Sequence, residues 1–287
     1  MGGAGEVELI LGTAGMSAPY GLWRPHAQMD SADEWVSSLG DLQGLGFSAI
    51  DTAPVYGEAE ELLGRAGVTI PIHTKMSPGL DPIQSLEQSL ARIRRNRVSV
   101  LYFHDTFVVD ESQVERMALL APARGALYEE LGASIYDEVE FERALAVPQI
   151  DVIQVPFNVL DRRFGDAWLA AARHEGKRVF ARSVFLQGTL ISGADRLPLA
   201  LSTLAPSIAG FAEICEAWST SPIAAALGYV KQKESFSGII VGAKSPTEAR
   251  HLADLYSENI PSGLLRDIDS LTTPSWALTD PRTWKAL

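Results

Sequence analysis

Eight short apolar runs, each followed by a stretch with helical spacing, constrain this chain more than any other feature of its sequence. The runs lie at 8–13, 48–51, 69–75, 98–103, 131–135, 152–155, 178–183 and 238–241. Between them, Trp35, Leu39, Leu42 and Leu45 recur at helical spacing up to Gly46, after a capping-box pattern from Ser31 to Glu34. Further helices are expected over 58–65, stopped near Gly67, and from Asp81-Pro82 through Leu86, Leu90 and Ile93. Others are expected at 111–120, 138–145, 166–174, from Pro222 to near Lys233, and at 246–256. Alternation of this kind requires a parallel sheet, because parallel strands are joined by crossovers. Eight units fit a closed (β/α)₈ TIM barrel better than an open sheet. No G-x-G-x-x-G follows any strand, which argues against the dinucleotide-binding form of the open alternative. With no linker in view, residues 1–287 are read as one barrel domain with a C-terminal tail from about 258. Trp276 and Trp284 in that tail are expected to cover either the rim or the bottom of the barrel.

Composition narrows the partners. The formal charge is −12 and 46% of residues are hydrophobic, a globular balance that opposes nucleic acid or an anionic membrane as the main partner. Residues 1–8 lack a charged segment followed by an apolar core, and Glu6 occupies the Ser/Thr position of a myristoylation signal. No apolar run approaches the ~20 residues of a membrane span. The single cysteine, Cys215, excludes an internal disulfide and suits a reducing cytosol, so a cytoplasmic protein is expected. Cys215 itself reads as packing. His26, His73, His174 and His251 have no metal-ligand spacing, and no metal is expected.

In a barrel of this type the active site lies at the C-terminal ends of the strands. The residues at those ends are Gly12-Thr13, Asp51, Lys75, His104, Ser134, Gln154, Arg182-Ser183 and Gly242-Ala243-Lys244. Tyr56 follows Asp51 in a Pro/Gly-punctuated loop. Taken singly each has a structural reading: Asp51 as a loop cap, Tyr56 as rim packing, Lys75 as a solvated charge, His104 as a hydrogen-bonded histidine. Asp, Tyr, Lys and His at successive strand ends together read as a proton-transfer set.

These residues resemble the aldo-keto reductase family, in a bacterial branch of it. The matching stretches are Ile10-Leu-Gly-Thr13, the block from Ile50-Asp-Thr-Ala-Pro-Val-Tyr-Gly57 to Gly64, His73-Thr-Lys75 and Leu101-Tyr-Phe-His104. Gly132-Ala-Ser134, Gln154-Val-Pro-Phe-Asn158, Arg182-Ser-Val-Phe-Leu-Gln-Gly188 and Gly242-Ala-Lys-Ser-Pro246 continue the match in order. The resemblance implies reversible hydride transfer between a nicotinamide cofactor, usually NADPH, and a small carbonyl compound. It makes Tyr56 the general acid, with Lys75 lowering its pKa, Asp51 holding Lys75 charged, and His104 orienting the carbonyl. Ser134 and Gln154 match the carboxamide-binding positions, although Ile135 replaces the usual Asn. Arg182 stands where many members stack an aromatic ring on the nicotinamide. Gly12, Thr13 and Ser183 fall on the cofactor side, Ser183 opening the pyrophosphate-binding segment. Gly242 also falls on the cofactor side, and Lys244 and Ser245 lie where a 2′-phosphate would be met. Glu248 stands where Arg is frequent and would repel that phosphate, and Leu252 replaces an adenine-contacting Asn; NADH is the second candidate cofactor. Trp23 in the first rim loop is a candidate wall of the substrate pocket. Two other classes stay open: a barrel lyase with Lys75 as Schiff-base nucleophile, and a cofactor-sensing or partner-binding barrel without turnover.

Overall fold

Parallel strands covered on both faces need apolar residues at nearly every position, and the eight runs supply them. The computed structural model describes residues 7–17, 32–104, 107, 110–233 and 235–284. The runs become β1 (Glu8–Gly12), β2 (Ala49–Asp51), β3 (Ile72–Lys75), β4 (Val98–Phe103), β5 (Tyr128–Ser134), β6 (Val152–Pro156), β7 (Arg178–Arg182) and β8 (Gly238–Gly242). Each strand pairs in parallel with the next, and β8 closes on β1, from Glu8 opposite Gly238 to Gly12 opposite Gly242. The expected closed (β/α)₈ barrel is the observed fold.

Two strand starts differ from expectation. β3 begins at Ile72 because Pro71 has no N–H for the ladder, while its carbonyl still accepts the Ile50 amide at 2.9 Å. β5 begins three residues early, at Tyr128, with Tyr128 opposite Val98 and Glu130 opposite Val100. Two adjacent glutamates, Glu129 and Glu130, hide that start from an apolar-run criterion.

The crossovers are α1 (Ala32–Leu39), α2 (Ala59–Ala66), α3 (Pro82–Ile93), α4 (Glu111–Leu120), α5 (Glu138–Ala146) and α6 (Asp166–His174). The expected first helix is cut short: Gly40 and Gly44 disfavour helix, and turns carry the chain to Gly46 at φ 91°, with Leu42 still buried. Ser31 of the expected capping box lies outside the described residues. Asp81 caps α3 as expected, its Oδ1 accepting the Ile83 and Gln84 amides at 3.0 Å each. Between β7 and β8 come α7 (Thr189–Ser192), α8 (Ala205–Ala217) and α9 (Pro222–Lys231), and after β8 come α10 (Pro246–Ser257), α11 (Ser262–Asp269) and α12 (Trp276–Thr279). Contrary to the sequence reading, one helical run, Leu199–Ala217, is long and apolar enough to cross a membrane by length and composition. In the fold it lays Leu201, Leu204, Ile208, Phe211 and Cys215 into the core.

Because strand side chains alternate, one set packs on the helices and the other fills the barrel. Ile10, Ala49, Val100, Tyr102, Val152, Phe180 and Ile240 form the inner cluster. A column of polar and aromatic groups runs through it. At the bottom Arg178 binds Glu8 (3.3 Å) and Glu130, and its guanidinium lies 5.0 Å from the Phe180 ring. Phe180 stacks on His73 (5.6 Å between centroids), and His73 meets Tyr102 edge-on (6.3 Å). The Tyr102 ring is in turn 5.7 Å from the Lys75 ammonium. Tyr102 fits there because position 132 is glycine: a Cβ at Gly132 would fall 2.4 Å from Tyr102 Cδ1.

Candidate active site

The column ends at the strand tips, where Asp51 closes β2 and Lys75 closes β3. Lys75 Nζ donates to Asp51 Oδ1 (2.5 Å) and to the Thr52 carbonyl (3.0 Å). The other Asp51 oxygen accepts from Gln154 Nε2 at 2.9 Å, and Gln154 Oε1 accepts from the Ser134 hydroxyl at 3.4 Å. Four strands are thereby tied through one carboxylate and one amide. Buried charges persist only when paired and hydrogen-bonded, and this pair meets both conditions.

Tyr56 reaches this point from the loop after β2. Its amide donates to the Ala53 carbonyl (3.0 Å) and its carbonyl accepts the Ser17 hydroxyl (2.6 Å). The next residue, Gly57, has φ 62°, and a Cβ there would lie 2.8 Å from Ser17 Oγ, so glycine is required for the turn that presents the ring. The Tyr56 ring stands 5.2 Å from Lys75 Nζ and edge-on to His104, 6.0 Å between centroids at 88°. His104 follows β4 directly.

Burial sets the protonation of this group. It pushes the Tyr56 hydroxyl well above the ordinary tyrosine range, with the Asp51 charge adding and Arg182 opposing. The expected lowering by Lys75 does not set the net direction: desolvation by burial dominates, and the Asp51 carboxylate adds to the rise. Lys75 is drawn below its usual value by desolvation, with Asp51 pulling the other way. His104 falls to about 3 through desolvation and the nearby Lys75 and Arg182 charges, which makes it a neutral imidazole. The arrangement therefore presents a neutral phenol and a neutral imidazole above a buried ion pair. It can donate a proton and polarise a carbonyl.

Above it opens a cavity of about 320 Å³. Of the residues expected from sequence, Gly12, Thr13, Asp51, Tyr56, His104, Ser134, Gln154, Arg182, Ser183, Gly242, Lys244 and Glu248 line it. Lys75 does not; it is 1% exposed and lies beneath. Ser245 is also off the lining and caps α10, its hydroxyl accepting the Glu248 amide at 2.9 Å. Leu252 is buried on the core face of α10, away from the cavity. Trp23 lies outside the described residues. His174 and His251 are exposed, His73 belongs to the column, and His26 lies outside the described residues.

Phe185 and Gln187 of the loop after β7 also line the cavity, and several lining residues escaped sequence reasoning, among them Tyr136, Ile191 and Arg282. Tyr136, just past β5, has the Arg182 guanidinium 4.2 Å from its ring centroid and that of Arg282 at 3.9 Å. Arg282 is held by Asp280 through Nη2 (2.7 Å) and Nε (3.0 Å). The segment is docked on the loop after β6: Thr279 Oγ1 donates to Asp161 Oδ2 (3.1 Å), Asp161 binds Arg163 (2.6 Å), and Arg163 lies 4.9 Å from the Trp276 ring. The tail thus covers the rim, not the bottom.

The sequence profile of the aldo/keto reductase family matches residues 8–273. The chain belongs to the aldo/keto reductase family. Its fold resembles that of the glycerol dehydrogenase AKR11B4 from Gluconobacter oxydans, with a TM-score of 0.69 at 20% identity over 91% of this chain and 90% of that one. It also resembles the thermostable aldo-keto reductase Tm1743, solved with the inhibitor epalrestat, at a TM-score of 0.70 and 22% identity over 92% of this chain and 94% of the other. At such identities the likeness concerns the fold alone. No curated protein matches the sequence. Members of this family are oxidoreductases that act on small carbonyl compounds and generally use nicotinamide cofactors.

The residues present fit such a cofactor at two of its parts. Ser134 and Gln154 line the same cavity as Tyr56 and His104 with a hydroxyl and an amide. In the loop after β7, Ser183, Leu186, Gln187 and Gly188 have φ of 61°, 46°, 53° and 90°. Within it the Leu186 and Gly188 amides donate to the Ser183 and Phe185 carbonyls at 2.9 and 2.8 Å, and 183–193 contains no carboxylate to oppose a diphosphate. The end near α10 is different. Glu248 Oε2 accepts the Lys244 amide at 2.6 Å, so a carboxylate occupies the helix N-terminus where an anion would otherwise be favoured.

Proposed function

We propose that this protein reduces an aldehyde or ketone to the alcohol with a reduced nicotinamide dinucleotide, and that Tyr56 delivers the proton. The observation that carries this is the convergence of Tyr56, His104 and the Lys75–Asp51 pair at the floor of one cavity. When bound, the cofactor supplies the hydride. Tyr56 Oη donates its proton to the carbonyl oxygen as negative charge develops there, and its neutrality in the folded protein keeps that proton available. The neutral His104 donates a hydrogen bond to the same oxygen and fixes its direction. Lys75, 5.2 Å from the Tyr56 ring, stabilises the phenolate that forms, and Asp51 with the Thr52 carbonyl keeps Lys75 in place. Ser134 and Gln154 orient the carboxamide. General acid catalysis of this kind contributes roughly 10²–10⁴-fold, the cofactor and positioning the remainder.

The lyase alternative loses support: Lys75 Nζ is engaged twice and buried below the cavity, out of a substrate's reach. For the cofactor, family usage favours NADPH, whereas the Glu248 carboxylate on the Lys244 amide opposes a 2′-phosphate and can accept a ribose hydroxyl. We therefore take NADH as the better fit. The acidic charge and the buried Cys215 are consistent with a cytoplasmic enzyme acting on a small molecule. Fluorescence titration with both cofactors tests the assignment: NADH should bind more tightly than NADPH, and Glu248→Gln should narrow the gap. Tyr56→Phe should lose at least ~100-fold in single-turnover hydride transfer with cofactor affinity retained. Normal transfer in Tyr56→Phe would remove the assigned mechanism.

A further inference from the structure

Arg182 sits at the mouth of the barrel, one layer above the reaction centre. Gln154 on β6 is in register with Phe180 on β7, and Pro156 with Arg182, so the Arg182 side chain rises from the same face two residues beyond the Gln154 layer. A ring that reaches Tyr56 and His104 while its carboxamide meets Ser134 and Gln154 must therefore lie beside it. The guanidinium is held in one place. Nη2 donates to the Ile135 carbonyl (3.0 Å), Nη1 to Ser183 Oγ (3.3 Å), and its centre packs 4.2 Å from the Tyr136 ring. Arg282, whose guanidinium also packs on the Tyr136 ring at 3.9 Å, is neutralised by Asp280. Among the described residues no carboxylate pairs with Arg182, and its Nε is buried without a hydrogen-bond partner. Its charge is felt at the centre, where it opposes the rise at Tyr56 and adds to the fall at His104. The cavity thus carries one fixed, uncompensated cation next to the position of the redox-active ring.

The two forms of the cofactor differ at that ring by one unit of charge: the oxidised nicotinamide is a cation and the dihydronicotinamide is neutral. The diphosphate carries the same charge in both. We propose that Arg182 makes this site selective for the reduced cofactor, repelling the oxidised ring and so biasing the enzyme towards carbonyl reduction and rapid release of the oxidised product. This rests on the nicotinamide reading of the cavity given above. A positively charged neighbour at contact range in a partly solvated site is worth about tenfold in the ratio of the two affinities.

The test is the ratio of dissociation constants, oxidised over reduced, for the NADH/NAD⁺ and NADPH/NADP⁺ pairs. It is measured by titration calorimetry on the wild type, Arg182→Lys and Arg182→Met. The wild type should bind the reduced form more tightly. Arg182→Met should lower the ratio about tenfold, mainly by tightening the oxidised form, and Arg182→Lys should keep most of it. If Arg182 merely attracts the diphosphate, Arg182→Met weakens both forms equally and the ratio stays constant; that result overturns the inference. So does an equal fall of the ratio in Arg182→Lys, which would trace the effect to packing instead of charge. Failure of both forms to bind the wild type would overturn the nicotinamide reading as well, and is distinct from either.

Discussion

Replacing Lys75 by Met isolates the energetic core of the site. The ammonium makes two hydrogen bonds, to Asp51 Oδ1 and the Thr52 carbonyl, and the Lys75 and Asp51 side chains are 1% and 5% exposed. Removing it leaves a buried carboxylate whose remaining side-chain donor is Gln154 Nε2, and a buried carbonyl without its lysine. Breaking one side of such a pair costs about 3–5 kcal/mol. For a chain of this size that lowers Tm by about 6–10 °C, at about 2 °C per kcal/mol. Much of this cost is the stranded charge, not the lost attraction. The double variant Lys75→Met with Asp51→Asn should therefore recover about 2 kcal/mol relative to the sum of the single changes, since Asn keeps an acceptor for Gln154 and carries no charge. Urea unfolding followed by tryptophan fluorescence and circular dichroism on the four proteins closes the cycle. If Lys75→Met lies within about 1 kcal/mol of the wild type, or the two single costs simply add, the pair is not the coupled buried unit described here.

Two further outcomes follow from the column inside the barrel. His73 is buried and burial pulls its pKa down to about 3, against ~6.5 in an unfolded chain. The folded form therefore binds fewer protons in this window, so stability is full above about pH 6.5 and is lost as pH falls towards about 3, by at most ~1.4 kcal/mol per unit. In urea midpoints across that range His73→Phe should flatten the slope by about 1 kcal/mol per unit, and an unchanged slope would exclude His73 as its source. Gly132→Ala places a methyl 2.4 Å from Tyr102 Cδ1 and should cost about 1–3 kcal/mol in the same assay, partly restored by Tyr102→Leu; a neutral Gly132→Ala would show that Tyr102 is free to move.

Much of the fold was legible because each strand is a short apolar run buried on two sides, and because Gly67 and Gly176 stop helices through their left-handed conformations. Asp51, Lys75 and His104 were legible as strand ends once the strands were counted. The miss at β5 came from Glu129 and Glu130, of which Glu130 is bound by Arg178 at the barrel bottom, a contact 48 residues away. Tyr136 and Arg282 were invisible for a similar reason: their partnership joins the end of β5 to a segment that arrives only after the last barrel helix. The net direction at Tyr56 was not legible because sequence gives the proximity of charges but not how deeply the hydroxyl is buried. One missed signal was available. Ser245 and Glu248 have the spacing of a capping box, which foretells a glutamate turned back onto the start of its helix.

The column from Arg178 through Phe180, His73 and Tyr102 to Lys75 leaves the floor of the cavity no slack. A substrate with a longer or bulkier tail cannot be accommodated by sinking deeper, since every step below Lys75 is already filled by a neighbour. Among the described residues, diversification of this scaffold is therefore left to its upper storey: the 183–191 loop and the Trp276–Trp284 region can vary in shape, while the chemistry beneath them stays on a fixed foundation.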